Sequence, residues 1–300
     1  DDAALWQPSR SHRSAITTDV SVEGVHFTRE LMTPREAGYR TMAANLSDLA
    51  AMGARPVLAT VALGIPEDWA VEEVLELYRG LAGGAAEAGL SIVGGDLSRA
   101  PALSVAVAAV GEVRASNVKS RAGGRPGALL ALTGPLGAAR AGLELAGGAA
   151  SLEGEPAAQA LRAFRMPRAR CDEGRFLGAS RNVLAMMDCS DGLSTDLDRL
   201  CSASGCGAIL DRVPVAGCAR ELAERRGEDP RVFALGGGED YELLVAVRPR
   251  AFAHLASRFS KRFGRELLPI GRLREQAGVV LRDGSREVPV ARSGWDHFAR

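Results

Sequence analysis

Residues 33–53, from Thr33-Pro34-Arg35-Glu36 through Asn45-Leu46-Ser47-Asp48 to Gly53, constrain the fold more than any other stretch of the chain. Thr33 and Glu36 make a capping-box pair around Pro34 at the first helical position, and Gly53 supplies a stop. Roughly five helical turns lie between them. Tyr39, Ala43, Leu46 and Ala50 then form one apolar face, widened by Met42 and Leu49, while Thr41, Asn45 and Asp48 line up opposite. A helix this apolar is buried over much of its second half. Asp48 must therefore meet a partner inside the protein or stand at a polar site, because an unpaired buried carboxylate is costly. A structural bond to Asn45 or to nearby backbone satisfies that condition as well as a functional site does, so the remaining acids have to decide.

Around this helix, strand-like and helix-like segments alternate. Ala15–Val20 and Val22–Phe27 read as strands, Val57–Ile65 as a continuous apolar strand, and Trp69–Ala88 as a helix with Asp68 as N-cap and Gly89 as stop. Ser91–Val93 is a short strand ending in Gly94-Gly95-Asp96, and Ala102–Val113 is a long one. That alternation predicts an α/β layer with one helical face. Residues 114–127 have the Gly/Pro-rich polar composition of a domain junction, which divides the chain into 1–120 and 121–300. The second part reads as strands near 128–132, 183–187, 207–213, 241–247, 268–273 and 278–282. Helices are expected near 137–146, 157–165, 172–181, 193–204, 216–226 and 250–263, with a loop over 147–157.

Composition removes several classes of function. The 300 residues are 46% hydrophobic and carry 37 basic and 37 acidic side chains. The formal neutrality offers no surface for nucleic acid or an anionic membrane. No run approaches the roughly 18 apolar residues of a membrane span, and no signal peptide is visible, so the chain reads as cytoplasmic. A natural segment is expected to precede Asp1. Cys171, Cys189, Cys201, Cys206 and Cys218 include no C-x-x-C pair and read as reduced thiols. The only lysines, Lys119 and Lys261, do not follow a G-x-x-x-x-G turn, which excludes a Walker-type phosphate loop. A zinc-protease helix, a nucleophile elbow and a dinucleotide fingerprint are also missing.

The acids fall in an unusual place. Asp1-Asp2, Asp19, Asp96, Asp188 with Asp191, and Glu239 with Asp240 lie beside apparent strand ends and Gly- or Thr-containing turns, and Asp48 lies on the polar stripe of the buried helix. Asp before a helix or in a Gly-Gly-Asp turn is also ordinary capping and turn chemistry. Gathered carboxylates, however, repel, and a hard divalent cation with oxygen ligands is the usual remedy. Thr17, Thr18 and Ser190 add hydroxyls. Without a phosphate loop, a phosphate site must be built from metals, glycine amides and arginines.

Asp1-Asp2, Thr17-Thr18-Asp19, Glu23-Gly-Val-His26-Phe, Asn45-Leu-Ser-Asp48-Leu-Ala-Ala-Met-Gly-Ala, Gly94-Gly95-Asp96, Arg121, Asp188-Cys-Ser190-Asp191-Gly-Leu, Gly237-Gly-Glu239-Asp240-Tyr-Glu-Leu and Gly294-Trp295-Asp-His-Phe together resemble the thiamine-monophosphate kinase family. The likeness runs in order from residue 1 to about 298. Some of these motifs recur in the wider aminoimidazole-ribonucleotide synthetase-like superfamily. The resemblance implies a two-domain α/β fold, each domain a mixed sheet with helices on one face. It further implies a homodimer formed through the N-terminal sheets of 1–120, ATP bound with several Mg²⁺ ions between subunits and domains, and phosphorylation of thiamine monophosphate to the diphosphate.

Carried onto matching positions, Asp2, Thr17, Thr18, Asp19, Asp48, Asp96, Asp188 and Asp191 are implied to hold metal, with Asp48 and Asp191 nearest the chemistry. Gly95, Asp96, Arg121 and Ser190 are implied to meet the nucleotide. His26, Glu239 and Trp295 are implied to face the thiamine phosphate, Trp295 by stacking on a cationic thiazolium. The chain departs from the family at Arg121-Ala-Gly-Gly-Arg-Pro-Gly127-Ala128, where an acid is replaced. Another ATP-using member of the superfamily, such as aminoimidazole-ribonucleotide synthetase, is the alternative. A catalytically silent acid-rich binding protein is a third reading.

Overall fold

The structure is a computed structural model that describes residue 3 and residues 6–294. In the N-terminal part, β1 (His12–Val22) leads to α1 (Pro34–Ala51), β2 (Arg55–Ile65), α2 (Val71–Glu87), β3 (Ser91–Arg99) and β4 (Ser104–Arg114). The strands form one sheet in the order β1-β4-β2-β3. β4 runs antiparallel to both β1 and β2, and β2 is parallel to β3 through the α2 crossover. Both helices cover the same face. Met42, Leu46, Leu49, Leu77 and Leu81 pack there on Ala59, Val61, Leu63, Val105, Val107 and Ala109. The opposite face is bare, and Ile16 and Val20 stand 73% and 47% exposed on it.

α1 begins as the sequence predicts. The Thr33 hydroxyl accepts from the Glu36 amide, and the Glu36 carboxylate accepts from the Thr33 amide. α2 does not begin at Asp68: Ala70 occupies the cap position, its amide bonded by Glu73, while Asp68 pairs with Arg29. The two expected strands 15–20 and 22–27 are one strand followed by a tight turn, closed by the Glu23–Phe27 bridge with Gly24 at φ 83°. β3 does not stop before Gly94-Gly95-Asp96 but runs through it, as an edge strand that tolerates weak strand formers.

In the C-terminal part the chain runs through β5 (Leu129–Leu132), α3 (Ala138–Ala146), α4 (Gly154–Arg165), α5 (Cys171–Gly178), β6 (Val183–Asp188), α6 (Leu193–Ser204) and β7 (Gly207–Leu210). It continues through α7 (Gly217–Arg225), α8 (Pro230–Leu235), β8 (Leu243–Val247), α9 (Phe252–Phe263), β9 (Leu268–Arg274), β10 (Val279–Asp283) and β11 (Arg286–Pro289). The sheet order is β11-β10-β7-β9-β5-β8-β6, mixed in direction. Leu193, Leu197 and Leu200 of α6 cover one face. Leu177, Leu255 and Phe259 of α5 and α9 cover the other, joined by Ala50 and Ala51 from the end of α1. The two mixed sheets with helices are as the sequence implies, but helices on one face holds only for the N-terminal sheet: the C-terminal strands are apolar on both faces and are covered by α6 on one and by α5 and α9 on the other. Helix α8 and strand β11 lie outside the elements it predicts.

α1 and α2 cross in close contact. A Cβ at Gly80 would stand 1.9 Å from the Arg35 carbonyl oxygen, and one at Gly38 would stand 2.0 Å from that of Leu77. Neither helix backbone can yield without moving the face it packs on the sheet. Gly80→Ala is accordingly expected to destabilise the fold by about 1–3 kcal/mol despite its better helix propensity, measured by denaturant unfolding; an unchanged midpoint would refute the close crossing.

Candidate active site

Alternation along β1 turns Thr17 and Asp19 toward α1 and leaves Thr18 exposed on the other face. α1 answers with its polar stripe. The Thr17 hydroxyl donates to the Asp48 carboxylate, and the Asn45 side-chain oxygen accepts from the Asp19 amide at 3.1 Å. Asn45 is completely buried and spends its amide on the Thr41 carbonyl at 3.0 Å. Asp48 thus meets Thr17, not Asn45. Asp19 is central in β1 and Asp96 lies within β3, so neither marks the strand end that the sequence suggests.

From the C-terminal half, β6 delivers Asp188 to the same place. Its Oδ2 accepts from the Ser47 hydroxyl at 2.7 Å, a bond between residues 141 positions apart. The following turn, Cys189–Gly192, is held from two sides. The Ser190 carbonyl accepts from the Glu239 amide at 2.7 Å, and the Cys189 carbonyl accepts from the Tyr241 amide at 2.9 Å. The amides of Asp191 and Gly192 both donate to Asp196 Oδ2 at 3.1 Å. Arg199 bonds Asp191 and approaches Asp196 Oδ1 at 3.2 Å. Arg121 stands in a short 3₁₀ turn whose carbonyl accepts from Ser204 at the end of α6 at 2.5 Å.

The electrostatics identify the cluster. Burial first, then the charges of Asp48 and Asp191, push Asp19 up to about 6. Asp188 is likewise pushed up to about 6 by burial and then by Asp48, against the Ser47 bond and Arg121. Asp48 is raised by burial, opposed by the Thr17 hydroxyl and Arg121. Asp196 reaches about 7 through burial and the charges of Asp191 and Asp188. Five acids therefore share a small volume between the two halves, flanked by Arg121 and Arg199. Among the described residues, no three His, Cys, Asp or Glu side chains converge tightly enough to make a ready metal cage. Buried carboxylates that raise one another could hold a hard divalent cation through oxygen ligands.

The remaining candidates are dispersed. His26 lies in the turn after β1, where its Nδ1 accepts from the Val22 amide at 3.1 Å, leaving the ring proton on Nε2. Glu239 lies across the seam and is paired with Arg40 of α1. Gly95 and Asp96 are on β3, at the sheet edge opposite β1. Three strand spacings, about 14 Å, separate those edges, so one chain does not bring Asp96 to Thr18 and Asp19. The absence of a side chain at Gly95 has a packing reason, since a Cβ there would stand 1.8 Å from the Val61 carbonyl oxygen. Asp2 and Trp295 lie outside the described residues. Sequence reasoning missed Arg40, Ser47, Asp196 and Arg199. Asp196 and Arg199 had a readable signal, one and two turns into the helix opened by Asp191-Gly192; Arg40 had none among 35 arginines.

Comparison with known proteins is consistent along the whole chain. Residues 1–113 match the family model for the N-terminal domain of AIR synthase related proteins, and residues 125–284 match that for their C-terminal domain. The thiamine-monophosphate kinase of Synechococcus elongatus is 34% identical over 99% of this chain and 90% of its own. The crystal structure of the thiamine-monophosphate kinase from Stenotrophomonas maltophilia superposes with a TM-score of 0.85 at 34% identity, over 94% of this chain and 89% of that one. AaThiL complexed with AMPPCP and TMP gives a TM-score of 0.84 at 31% identity, over 97% and 89%. Among the described residues no helix is long and apolar enough to cross a membrane.

The raised carboxyls fix a pH dependence. Asp19 and Asp188 near 6, and Asp196 and Asp240 near 7, all lie above the ordinary carboxylate value. Asp240 is raised by burial, against the amides of Gly137 and Ala139 that it caps. The fold therefore prefers their protonated forms, a preference fully present below the ordinary value of 3.8 and lost progressively as pH rises to about 7. Without divalent cations or nucleotide, the melting temperature is expected to fall across that window, and Asp240→Asn should shallow the slope. A wild-type melting temperature that rises there would contradict the burial that raises these acids.

Proposed function

The chain belongs to the thiamine-monophosphate kinase family of AIR synthase-related proteins, and on that premise we propose how it works. It transfers the γ-phosphoryl group of ATP directly to the phosphate of thiamine monophosphate, yielding the diphosphate, in the cytoplasm where ATP is available. The observation that carries this reading is the buried acid cluster at the seam: Asp19, Asp48, Asp188, Asp191 and Asp196 repel one another, with Arg121 and Arg199 beside them. A relative with this fold was solved with an ATP analogue and TMP, which supports both substrates.

Several Mg²⁺ ions would be held by Asp19, Asp48, Asp188 and Asp191 with the hydroxyl of Thr17, and by Asp2, Asp96 and Thr18, which lies on the other face of β1. Bound there, they would neutralise two anions and stabilise the charge of an in-line transfer. The chain itself contributes positioning. Arg121 and Ser190 face the nucleotide, Asp191 is oriented by Arg199, and His26, Glu239 and Trp295 select the acceptor. The acceptor oxygen is already ionised at neutral pH, so no general base is required.

A phosphoenzyme has little support in the site. Cys189 is buried, and its thiol is raised far above the ordinary value by burial and by Asp196, which removes the thiolate nucleophile. Ser47 does donate to a carboxylate, but it is completely buried. Ser190 has no hydrogen-bonded base among the described residues. Direct displacement inverts configuration at a chiral γ-phosphate, and net retention would rule it out.

The same geometry supports a homodimer. The bare face of the N-terminal sheet carries Ile16, Val20, Ala62, Ala106 and Ala108, an apolar surface that needs cover. Asp96 and Gly95 stand at the far edge of that sheet. A second copy packed face to face would carry its own Asp96 toward the β1 edge, so each site takes Asp48 from one subunit and Asp96 from the other.

Mixed dimers test this arrangement. Asp48→Asn and Asp96→Asn homodimers are each expected to lose about 100-fold or more in turnover, while staying folded. Mixing the two chains should restore activity, because one site of each heterodimer then has both acids. Failure of a demonstrably mixed dimer to recover would place Asp96 in its own chain's site or outside it.

A further inference from the structure

Arg40 is a guanidinium only 7% exposed, on the helix that carries Ser47 and Asp48 two turns further on. Its three contacts all lie in other elements. One Nη donates to the Phe164 carbonyl at the end of α4 at 2.6 Å, the other bonds Glu239 Oε2, and the guanidinium lies 4.4 Å over the Phe164 ring. Glu239 Oε1 carries no hydrogen bond among the described residues. The backbone of Glu239 is fixed as well, at φ 64° with its amide on Ser190. The carboxylate is therefore held by one oxygen and open at the other, at the junction of α1, α4 and the Ser190 turn.

We propose that Arg40 is a positioning residue for the acceptor: it aims Glu239 so that the open oxygen accepts a hydrogen bond from the amino group of the aminopyrimidine ring of thiamine monophosphate. This rests on the acceptor reading above and adds to it the residue that sets the recognition geometry. A guanidinium is suited to the task because its planar fork serves two acceptors on different elements at once. A lysine ammonium is a point charge without that fork. Buried on a helix shared with Asp48, Arg40 also fixes the distance between the acceptor's ring end and the acids that receive its phosphate.

The test is a double-mutant cycle on the full-length enzyme, using Arg40→Met, Glu239→Gln and the pair, with steady-state constants for both substrates. Each single change is expected to raise the thiamine-monophosphate KM by about tenfold or more while the ATP KM moves by less than about twofold. The pair should be no worse than the worse single variant, because the second change removes a contact already lost. Arg40→Lys, which keeps the cation if Arg40→Met does not fold, is expected to raise the acceptor KM by about threefold or more and to add nothing on top of Glu239→Gln. Effects that multiply in the pair, a shifted ATP KM, or an Arg40→Lys enzyme with an unchanged acceptor KM would overturn the proposal. A wild type that transfers nothing to thiamine monophosphate sinks the acceptor reading as well. An active wild type with an uncoupled pair sinks only the role of Arg40.

Discussion

Everything at the seam depends on α1 being buried on nearly every side beyond its first turn. Its Met42, Leu46 and Leu49 belong to the N-terminal core, and its Ala50 and Ala51 belong to a C-terminal one. A helix so largely buried cannot leave its polar side chains to water, so its buried ones must find partners in the protein. Asn45 takes β1, Ser47 takes β6, and Arg40 takes α4 and the Glu239 turn. The two halves are thus registered against each other through one helix. Asp48 is the member of that series whose partner, a neutral hydroxyl, does not cancel its charge.

That exception explains why charge accumulates where it does. Burial raises Asp19, Asp48, Asp188 and Asp196, and the charges of Asp48, Asp188 and Asp191 raise Asp19, Asp188 and Asp196 further. A structural network would be balanced: Glu242, equally buried, is bonded by Thr133, Arg170 and Arg265, and its pKa is lowered. The contrast separates a carboxylate that serves the fold from the carboxylates proposed above to hold cations. Stability given up by unbalanced acids is recovered when a ligand binds the folded state, which couples the fold to its substrates.

The seam was partly legible in the sequence because Asp48 contradicts its surroundings and Thr33-Pro34-x-Glu36 states where its helix begins. The bracketing glycines and the Asp188–Leu193 turn were legible for the same local reason. Distance defeated the rest. Nothing near Arg40 in the chain announces Glu239, 199 positions away, and a guanidinium among 35 carries no mark of its own. Gly94-Gly95-Asp96 reads as a strand end because glycine and aspartate are poor strand formers, yet pairing with β2 carries β3 through it. Asp68 reads as an N-cap by composition, but Arg29 claims its carboxylate. α8 was readable and was missed, since Asp229 caps it and Pro230 sits at its first position.

The Glu239 turn, the proposed acceptor side, follows the opposite strategy to the acid cluster. Glu239 and Tyr241 both have left-handed backbones, φ 64° and 49°, a conformation that costs about 1–3 kcal/mol each for residues with a Cβ. Such strain persists only where the surroundings over-determine it, and here they do. Asp240 between them caps α3 through the amides of Gly137 and Ala139, and Glu242 is locked by two arginines. The amides of Glu239 and Tyr241 are anchored on the Ser190 turn. Gly238 makes that anchoring possible, because a Cβ there would meet the Ser190 carbonyl oxygen at 2.7 Å. One wall of the seam is therefore set rigidly before any ligand arrives, while the other is held apart by its own charge. A phosphoryl transfer between two anions needs this asymmetry: a fixed frame to place the acceptor, and a charge deficit that incoming cations and phosphates complete.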